Sequence, residues 1–159
     1  MVTGTLKYDA VIATPFGRIG ITAQDNALCG IDLLSPRISL RSSENSLALD
    51  VCRQIQAYID DPASSFDLPL CVSGTVYQQR VWTTLQQIVP GEAVSYGALA
   101  HKLSSGPRAV AAACRANAVP IVIPCHRVVA KTGLGGYMGQ RDGPAMRMKT
   151  WLLEHESPG

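Results

Sequence analysis

The first part of the chain alternates short apolar runs with turn residues, a pattern that predicts β-strands. Each run is rich in β-branched side chains and is bounded by Pro, Gly, Asp or Asn, which favour turns. The predicted strands are Ala10–Ala13, Ile19–Ala23 and Leu28–Ile31. Because the connections at Pro15–Gly17 and Gln24–Asn26 are short, we expect an antiparallel meander. Apolar residues then recur at helical spacing from Leu47 to Ile59, which predicts a helix.

Apolar periodicity in the second half predicts four helices. The first carries an apolar stripe from Val81 to Val89 and ends at Pro90-Gly91. The others are predicted at about residues 95–103, 107–116 and 144–156. A short turn, Ser104–Gly106, joins the second and third helices, which is typical of a helix-turn-helix. Since a helical hairpin without a role in DNA binding has the same pattern, both interpretations stay open on this signal alone.

Composition and charge suggest a globular protein made of two small domains. Of the 159 residues, 47% are apolar and 16% are charged, which is enough to bury a core. The Pro- and Ser-containing stretch Asp60–Leu70 is the predicted linker, so we expect domains at 1–70 and 71–159. Residues 1–75 carry five Lys/Arg and eight Asp/Glu, whereas residues 76–159 carry nine and four. The basic second half is therefore the half expected to bind a polyanion.

The cysteines and the hydropathy pattern limit the cellular setting. No apolar run is long enough to span a bilayer, and the first residues lack a signal-peptide pattern, so a cytoplasmic protein, or a nuclear one in a eukaryote, is expected. Five irregularly spaced cysteines argue against a disulfide framework and favour a reducing compartment. The first half has no histidine, and Cys29 and Cys52 lack ligand-like spacing, so we expect no metal and no cofactor.

Residues 121–129 concentrate the candidate chemistry. The β-branched runs Ile121–Ile123 and Val128-Val129 predict buried extended segments on either side of Pro124-Cys125-His126-Arg127. A free cysteine is most often an inert core residue, but an adjacent imidazole can take the thiol proton and leave a nucleophilic thiolate. Neighbouring residues of an extended chain point in opposite directions. Proton transfer from Cys125 to His126 would therefore need a bridging water or a bend at Pro124.

Several blocks of sequence, in a fixed order, together resemble one known family. They are Tyr77–Trp82, Arg108–Val110, Asn117, Pro124–Val128, Gly136-Tyr137 and Trp151–Glu156. In this order they resemble the O6-alkylguanine-DNA alkyltransferases, also called methylated-DNA–protein-cysteine methyltransferases. The resemblance implies an α+β fold. Its small N-terminal domain would be ribonuclease H-like, with a three-stranded antiparallel sheet, and its mostly helical C-terminal domain would be winged-helix-like, with a helix-turn-helix.

The resemblance also implies an activity and a set of catalytic residues. The activity would be DNA repair by direct, irreversible, single-turnover transfer of the alkyl group of O6-alkylguanine, or less readily of O4-alkylthymine, to Cys125. His126 would draw off the thiol proton through water, and Glu156 would orient His126. The hydroxyl of Tyr96 would stabilise the leaving guanine, and Asn117 would brace the connection that follows the third helix.

The same resemblance implies how the chain binds DNA and holds the lesion. A monomer would bind double-stranded DNA through the minor groove, with Arg108 entering the base stack where the damaged base has left. The third helix presents a stripe of alanines that permits close approach. The other residues expected to contact DNA are Tyr96, Ala109, Ala112, Ala113, Arg115 and Arg127. The residues expected to form the substrate pocket are Val128, Tyr137, Met138, Trp82 and Pro120.

Some positions depart from the family pattern, and two other functions stay open. Ala111 stands where glycine is usual, Ala118 where proline is usual and Met138 where a small polar residue is common, and the segment from residue 139 to 148 is longer. These departures bear on pocket width and alkyl preference. A non-catalytic lesion-binding relative would lack the cysteine, and a thiol hydrolase would need an oxyanion-hole motif. We also expect no resolving cysteine beside Cys125.

Overall fold

A computed structural model of the chain describes residues 7–158. It has the expected α+β fold and divides into two compact units, Met1–Val72 and Ser73–Gly159. The first unit holds strands β1 (Ala10–Thr14), β2 (Gly17–Gln24) and β3 (Ala27–Leu34) and helix α1 (Ser46–Asp60). The second unit holds α2 (Val76–Leu85), β4 (Val94–Ser95), α3 (Tyr96–Lys102), α4 (Pro107–Arg115), a 3₁₀ turn (Cys125–Arg127), β5 (Val128–Val129) and α5 (Gly143–Glu156).

The first unit is an antiparallel meander with one helix against it. Its strands pair in the order β1-β2-β3, and this confirms the predicted sheet. Asp25 and Asn26 both have positive φ at the β2–β3 turn, a conformation that these two residue types adopt more readily than most. Asn45 caps helix α1, because its side chain accepts a hydrogen bond from the Ala48 amide, and the helix buries an apolar face against the sheet.

A disulfide joins Cys29 to Cys71 in this unit, 42 residues apart in the chain. The expectation that the cysteines are unbridged is therefore wrong for this pair. The segment around Leu70 runs beside β3: the Leu28 amide donates to the Pro69 carbonyl, and the Cys71 amide donates to the Leu28 carbonyl. This pairing of distant segments brings the two thiols together, and the spacing of the cysteines in the sequence carries no sign of it.

In the second unit the predicted helices form, with one shortened. A capping box of Thr75 and Gln78 starts α2, but the helix ends at Leu85 instead of continuing to residue 89. Val89 is 60% exposed and so lies outside the predicted apolar stripe, a correction to that prediction. Helices α3 and α4 pack on each other across the turn at Ser104, which has positive φ. They form the predicted helix-turn-helix.

The chain just before Cys125 is a turn, so the predicted extended run at Ile121–Ile123 is wrong. Ile121 has a φ of 78°, a conformation that is rare and strained for a β-branched residue. Pro120 and Ile123 bridge across this turn. Residues Cys125–Arg127 then form a single 3₁₀ turn, and only Val128–Val129, paired in parallel with β4, is extended as predicted. The backbone therefore bends after Pro124, which is one of the two arrangements that we expect to permit proton transfer.

No helix within residues 7–158 has both the length and the apolar character that crossing a membrane requires.

Candidate active site

Cys125 lies in the wall of a cavity of about 580 Å³ within the second unit. Helix α4, the first residue of α3, Ala130 and the loop from residue 135 to 141 line the remainder of the cavity. The Cys125 side chain is buried, with 6% of the residue exposed. The 3₁₀ turn and the buried strand β5 fix its position, since Val128 is fully buried directly after the turn. A thiol held in this way can be reached only by a group that enters the cavity.

Asn117 holds the thiol of Cys125. Its side-chain nitrogen donates to Cys125 Sγ at 3.2 Å and to the carbonyl oxygen of Ile123 at 2.8 Å. Its side-chain oxygen accepts from the Val119 amide at 3.0 Å, which fixes the amide orientation. Burial raises the pKa of Cys125, while the Asn117 bond, the charge of Lys149 and a hydrogen bond from Tyr137 act to lower it. Cys125 therefore rests as a thiol, with groups in place that favour its anion.

Behind Cys125, His126 and Arg127 share one buried carboxylate. His126 Nε2 lies 2.7 Å from Glu156 Oε2, and the Arg127 guanidinium donates to both Glu156 oxygens, at 2.8 and 3.0 Å. Because a carboxylate only accepts, a neutral His126 carries its hydrogen on Nε2. Burial lowers the pKa of His126, which favours that neutral form. Its Nδ1 has no hydrogen-bond partner among residues 7–158, so this atom is the one available to take a proton.

Lys149 on helix α5 is a buried cation that ties the cavity wall together. Its Nζ donates to the carbonyl oxygens of Val128, Leu134 and Gly136, at 2.8, 2.6 and 2.9 Å. Burial lowers its pKa from 10.5 to about 8. At neutral pH the group is still charged, and this charge lowers the pKa of the Cys125 thiol. The same ammonium group therefore holds the 134–136 loop by hydrogen bonds and lowers the pKa of Cys125.

Two further titratable side chains face the cavity, and both stay protonated at neutral pH. Burial raises the pKa of Tyr96 to about 12, with smaller contributions from Cys114 and Cys125. Burial likewise raises the pKa of Cys114, on α4, to about 12. Tyr96 is therefore a hydrogen-bond donor and Cys114 a poor nucleophile. Cys114 lines the same cavity as Cys125, and the expectation that no resolving cysteine acts beside Cys125 stays a prediction.

The exposed basic side chains of the cavity lining lie on α4 and at the end of the 135–141 loop, and we take this exposed edge as the opening of the cavity. Arg108 and Arg115, at opposite ends of α4, both line the opening. Ala109 and Ala112 are exposed on the same helix and leave a surface without bulky side chains. Tyr137 and Met138 line the cavity from the loop side, in the pocket where the sequence interpretation placed them.

Five residues assigned from the sequence lie elsewhere. Arg127 is 7% exposed and is held by Glu156 and the Ile88 carbonyl, so it cannot contact DNA as predicted. Ala113 is buried on the inner side of α4, so the predicted contact of Ala113 with DNA is wrong as well. The three misplaced pocket residues are Trp82, Pro120 and Val128, which are buried outside the lining of the cavity. Trp82 lies outside the lining because its indole points to α4, where it donates a hydrogen bond to the Ala113 carbonyl and braces the helix from within.

Sequence reasoning missed four residues that the structure places at the site. A lone lysine on a helix and a lone cysteine usually have no special role, so the sequence carries no functional signal for Lys149 or Cys114. Arg141 and Gln140 line the cavity because the segment after Tyr137 turns back on itself. The unusual length of that segment was the one available signal, and it pointed to the pocket without naming the residues.

This second unit is also where known proteins resemble the chain. Over residues 76–158 the sequence matches the family described as 6-O-methylguanine DNA methyltransferase, DNA binding domain. The chain belongs to this family. The match confirms the family resemblance of the signature around Cys125, and with it the assignment as a methyltransferase.

Relatives of the 6-O-methylguanine DNA methyltransferase family extend the similarity to both units. The constitutive methylated-DNA–protein-cysteine methyltransferase of Bacillus subtilis is 30% identical over 95% of this chain and 96% of its own. A DNA base-flipping protein of Thermus thermophilus is 35% identical, over 91% and 97%. Among solved structures, Mycobacterium tuberculosis OGT in complex with DNA is 33% identical, with a TM-score of 0.74 over 92% and 90%.

Proposed function

We propose that this protein repairs DNA by moving the alkyl group from O6 of a damaged guanine to its own Cys125, once per molecule. The observation that carries the proposal is the Cys125 thiol in the cavity wall, with Asn117 on its sulfur and the His126–Glu156 pair behind it. Family membership supports DNA as the partner. O4-alkylthymine is a less favoured substrate in this proposal.

The first step proposed is removal of the thiol proton. Cys125 Sγ–H loses its proton, through water, to the free Nδ1 of His126. The imidazolium formed is stabilised by Glu156, which already accepts a hydrogen bond from Nε2. Asn117, Lys149 and Tyr137 all favour the thiolate electrostatically or by hydrogen bonding. Together they offset part of the cost of forming an anion in a buried site.

The second step proposed is displacement at the alkyl carbon. A sulfur–carbon bond forms at Cys125 as the bond between that carbon and guanine O6 breaks, and guanine leaves as an anion that is then protonated. The phenol of Tyr96 stays protonated because its pKa is about 12, and it lines the same cavity, so it is suited to donate a hydrogen bond to the departing O6. No reductant, oxidant or cofactor takes part.

As a monomer, the protein would bind the minor groove of DNA, with the damaged base turned out of the duplex. A base inside a duplex cannot reach a buried thiol, so extrusion is required before the chemistry. The small exposed residues of α4 suit close approach to a groove, and Arg108 at the cavity opening is placed to fill the gap in the stack. This use of a minor groove needs no sequence reading, which suits a lesion that can occur anywhere.

The product explains why we expect a single turnover. An alkylated cysteine is a thioether, and its carbon–sulfur bond has no carbonyl that water can attack. Cys114, the other cysteine of the cavity, has a pKa of about 12 and is not suited to take the group away. The wild-type protein should therefore stop after one lesion per molecule.

Intact-mass measurement against a series of duplexes carrying O6-methylguanine tests the proposal. One methyl group should be added per protein, on the peptide that contains Cys125. Cys125→Ala should abolish transfer but keep duplex affinity, because it removes no basic residue. Cys114→Ser is the matched control and should still accept one methyl group. Turnover beyond one equivalent, or methyl groups located on Cys114, would falsify the assignment.

A further inference from the structure

The cavity lining holds two arginines, Arg115 and Arg141, that the proposed chemical steps at Cys125 do not use. After Tyr137 the chain forms a two-residue hairpin turn: the Tyr137 amide donates to the Gln140 carbonyl at 2.9 Å, and the Gln140 amide donates to the Tyr137 carbonyl at 2.8 Å. The two central residues, Met138 and Gly139, both have positive φ, as this tight turn requires. Arg141 follows directly, so a defined turn fixes its backbone position in the cavity lining.

Arg115 reaches the same lining from helix α4. The aliphatic part of its side chain packs on Gly139, since a β-carbon at that glycine would lie 3.2 Å from Arg115 Cδ. Arg115 and Arg141 both line the cavity, and both are exposed. Neither has a carboxylate within 4.0 Å in the described part of the chain, whereas the buried Arg127 is fully paired. Two unpaired guanidiniums that line one cavity make its exposed edge attractive to an oxyanion.

The chemistry at Cys125 determines which oxyanion arrives there. A guanine whose O6 substituent points at Cys125 has its glycosidic nitrogen on the far side of the purine. Its sugar and phosphate must therefore lie towards the opening of the cavity. A guanidinium binds phosphate through two parallel hydrogen bonds, a geometry that lysine cannot supply.

We propose that Arg141 and Arg115 form a phosphate site for the extruded nucleotide, and that this site lets the protein act on single nucleotides carrying O6-alkylguanine. The inference rests on the proposed function, since it assumes that the damaged base enters the cavity towards Cys125. It assigns a binding role to the loop after Tyr137, which we expect to be longer than in the family pattern. The contact is made to the nucleotide itself and does not depend on the rest of the duplex.

The test compares O6-benzyl-2′-deoxyguanosine with its 5′- and 3′-monophosphates. Rates of benzyl transfer to Cys125 are measured by intact mass. For the wild type, at least one monophosphate should react about threefold to tenfold faster than the nucleoside, as expected for two partly exposed charge pairs. Arg141→Ala should reduce this ratio to below twofold without slowing the reaction of the nucleoside. Arg147→Ala, which removes an exposed arginine of α5 that is absent from the cavity lining, should keep the wild-type ratio.

A ratio of one in the wild type would overturn the phosphate site, and so would an equal loss on nucleoside and nucleotide in Arg141→Ala. If the nucleoside reacts too slowly to follow, the salt dependence of duplex affinity is measured in place of the rate ratio. The slope of log affinity against log salt should then be shallower by about 1 in Arg141→Ala than in Arg147→Ala, and equal slopes would reject the site. Absence of transfer to Cys125 from duplex and nucleoside alike would instead overturn the proposed function.

Discussion

Glu156 accepts hydrogen bonds from His126 and Arg127 while only 5% of its own surface is exposed. Since His126 is kept neutral by burial, the carboxylate balances the charge of the guanidinium at rest. During the proposed reaction His126 becomes a cation, and the same carboxylate lies against it. One residue thereby serves both the fold and the chemistry, which explains why a glutamate that looks like a surface residue in the sequence is buried.

Glu156→Gln should therefore destabilise the second unit by about 3–5 kcal/mol, because it leaves the buried Arg127 without a counter-charge. Urea unfolding of the variant and the wild type measures this loss. Glu154→Gln is the matched control, since Glu154 is exposed on the same helix, and it should change the free energy of unfolding by less than about 0.5 kcal/mol. Similar unfolding curves for the two variants would contradict a structural role for the buried pair.

The pKa of Lys149 gives a second prediction at this scale. Its pKa is about 8 in the folded protein and near 10.5 in the unfolded chain. Between these values the unfolded chain binds more protons, so this group makes the folded state more favourable as the pH rises from about 8 to 10.5. Below pH 8 its burial as a cation costs stability.

Lys149→Met keeps the length of the side chain and removes the titration. The free energy of unfolding of the wild type relative to Lys149→Met should rise by up to about 3 kcal/mol between pH 8 and pH 10.5. Taking the difference between the two proteins cancels the titration of groups that do not interact with Lys149, and making both proteins in a Cys114→Ser, Cys125→Ser background removes the two thiols that do. A constant difference, or one that falls with pH, would show that the pKa of Lys149 is not lowered.

At the scale of elements, the sequence predicted most helices and strands because their ends carry local signals. Ser95 caps α3 and Pro107 begins α4, and both act through neighbouring residues alone. The turn before Cys125 could not be predicted, because β-branched residues favour extended chain and the positive φ of Ile121 is imposed by the surrounding fold. The disulfide and the buried Arg127 depend on segments far apart in the sequence, so local patterns do not contain them.

The residues of the candidate site also divide into those that the local sequence predicts and those that only the fold brings together. Cys125, His126 and Asn117 lie close together in the sequence, and the structure places Asn117 on the Cys125 sulfur. Family resemblance was needed to connect Glu156 with His126 across 30 residues, and the structure shows this contact. The family resemblance implied a DNA contact for Arg127, but the structure buries this side chain against Glu156. Only the three-dimensional packing of α5 reveals the carboxylate that holds it.

Helix α4 gives a prediction of its own, because its exposed alanines are proposed to approach DNA closely. Ala112→Leu adds bulk to this surface without disturbing the core, since Ala112 is exposed. We expect the reaction with duplex DNA to slow by about tenfold or more, and the reaction with free O6-benzylguanine to be unchanged. Rates on the two substrates, measured in parallel, test this.

Ala57→Leu, at an exposed position of helix α1, is the control and should change neither rate. The free energy of unfolding of both variants should stay within about 0.5 kcal/mol of the wild type. If Ala112→Leu slowed both reactions equally, its effect would lie in the cavity and not at a DNA surface. An unchanged duplex rate would remove α4 from the proposed interface.

At the scale of the whole molecule, attraction of DNA phosphates depends on the exposed charge more than on the total charge. The second half has a net charge of +5 from its nine basic and four acidic residues. Lys149, Arg127 and Glu156 are buried, which leaves seven exposed basic and three exposed acidic side chains, a net charge of +4. Arg108, Arg115 and Arg141 converge on the cavity opening. The charge available to phosphates is therefore concentrated where the damaged base must enter.

This distribution predicts how duplex affinity depends on salt. Each phosphate neutralised by the protein releases counterions, so log affinity falls with log salt at a slope of about −0.9 per contact. If the three arginines at the opening each contact the duplex, the slope should be about −3 or steeper, and the triple alanine variant should lose most of it. The control variant Arg127→Met should leave the slope unchanged, because Arg127 is buried and paired with Glu156, although this variant should unfold more readily.

Affinities of undamaged duplexes of different sequence should agree closely at each salt concentration. A slope near zero, or a strong preference for one undamaged sequence, would argue against a backbone-binding repair protein and for a sequence-reading regulator.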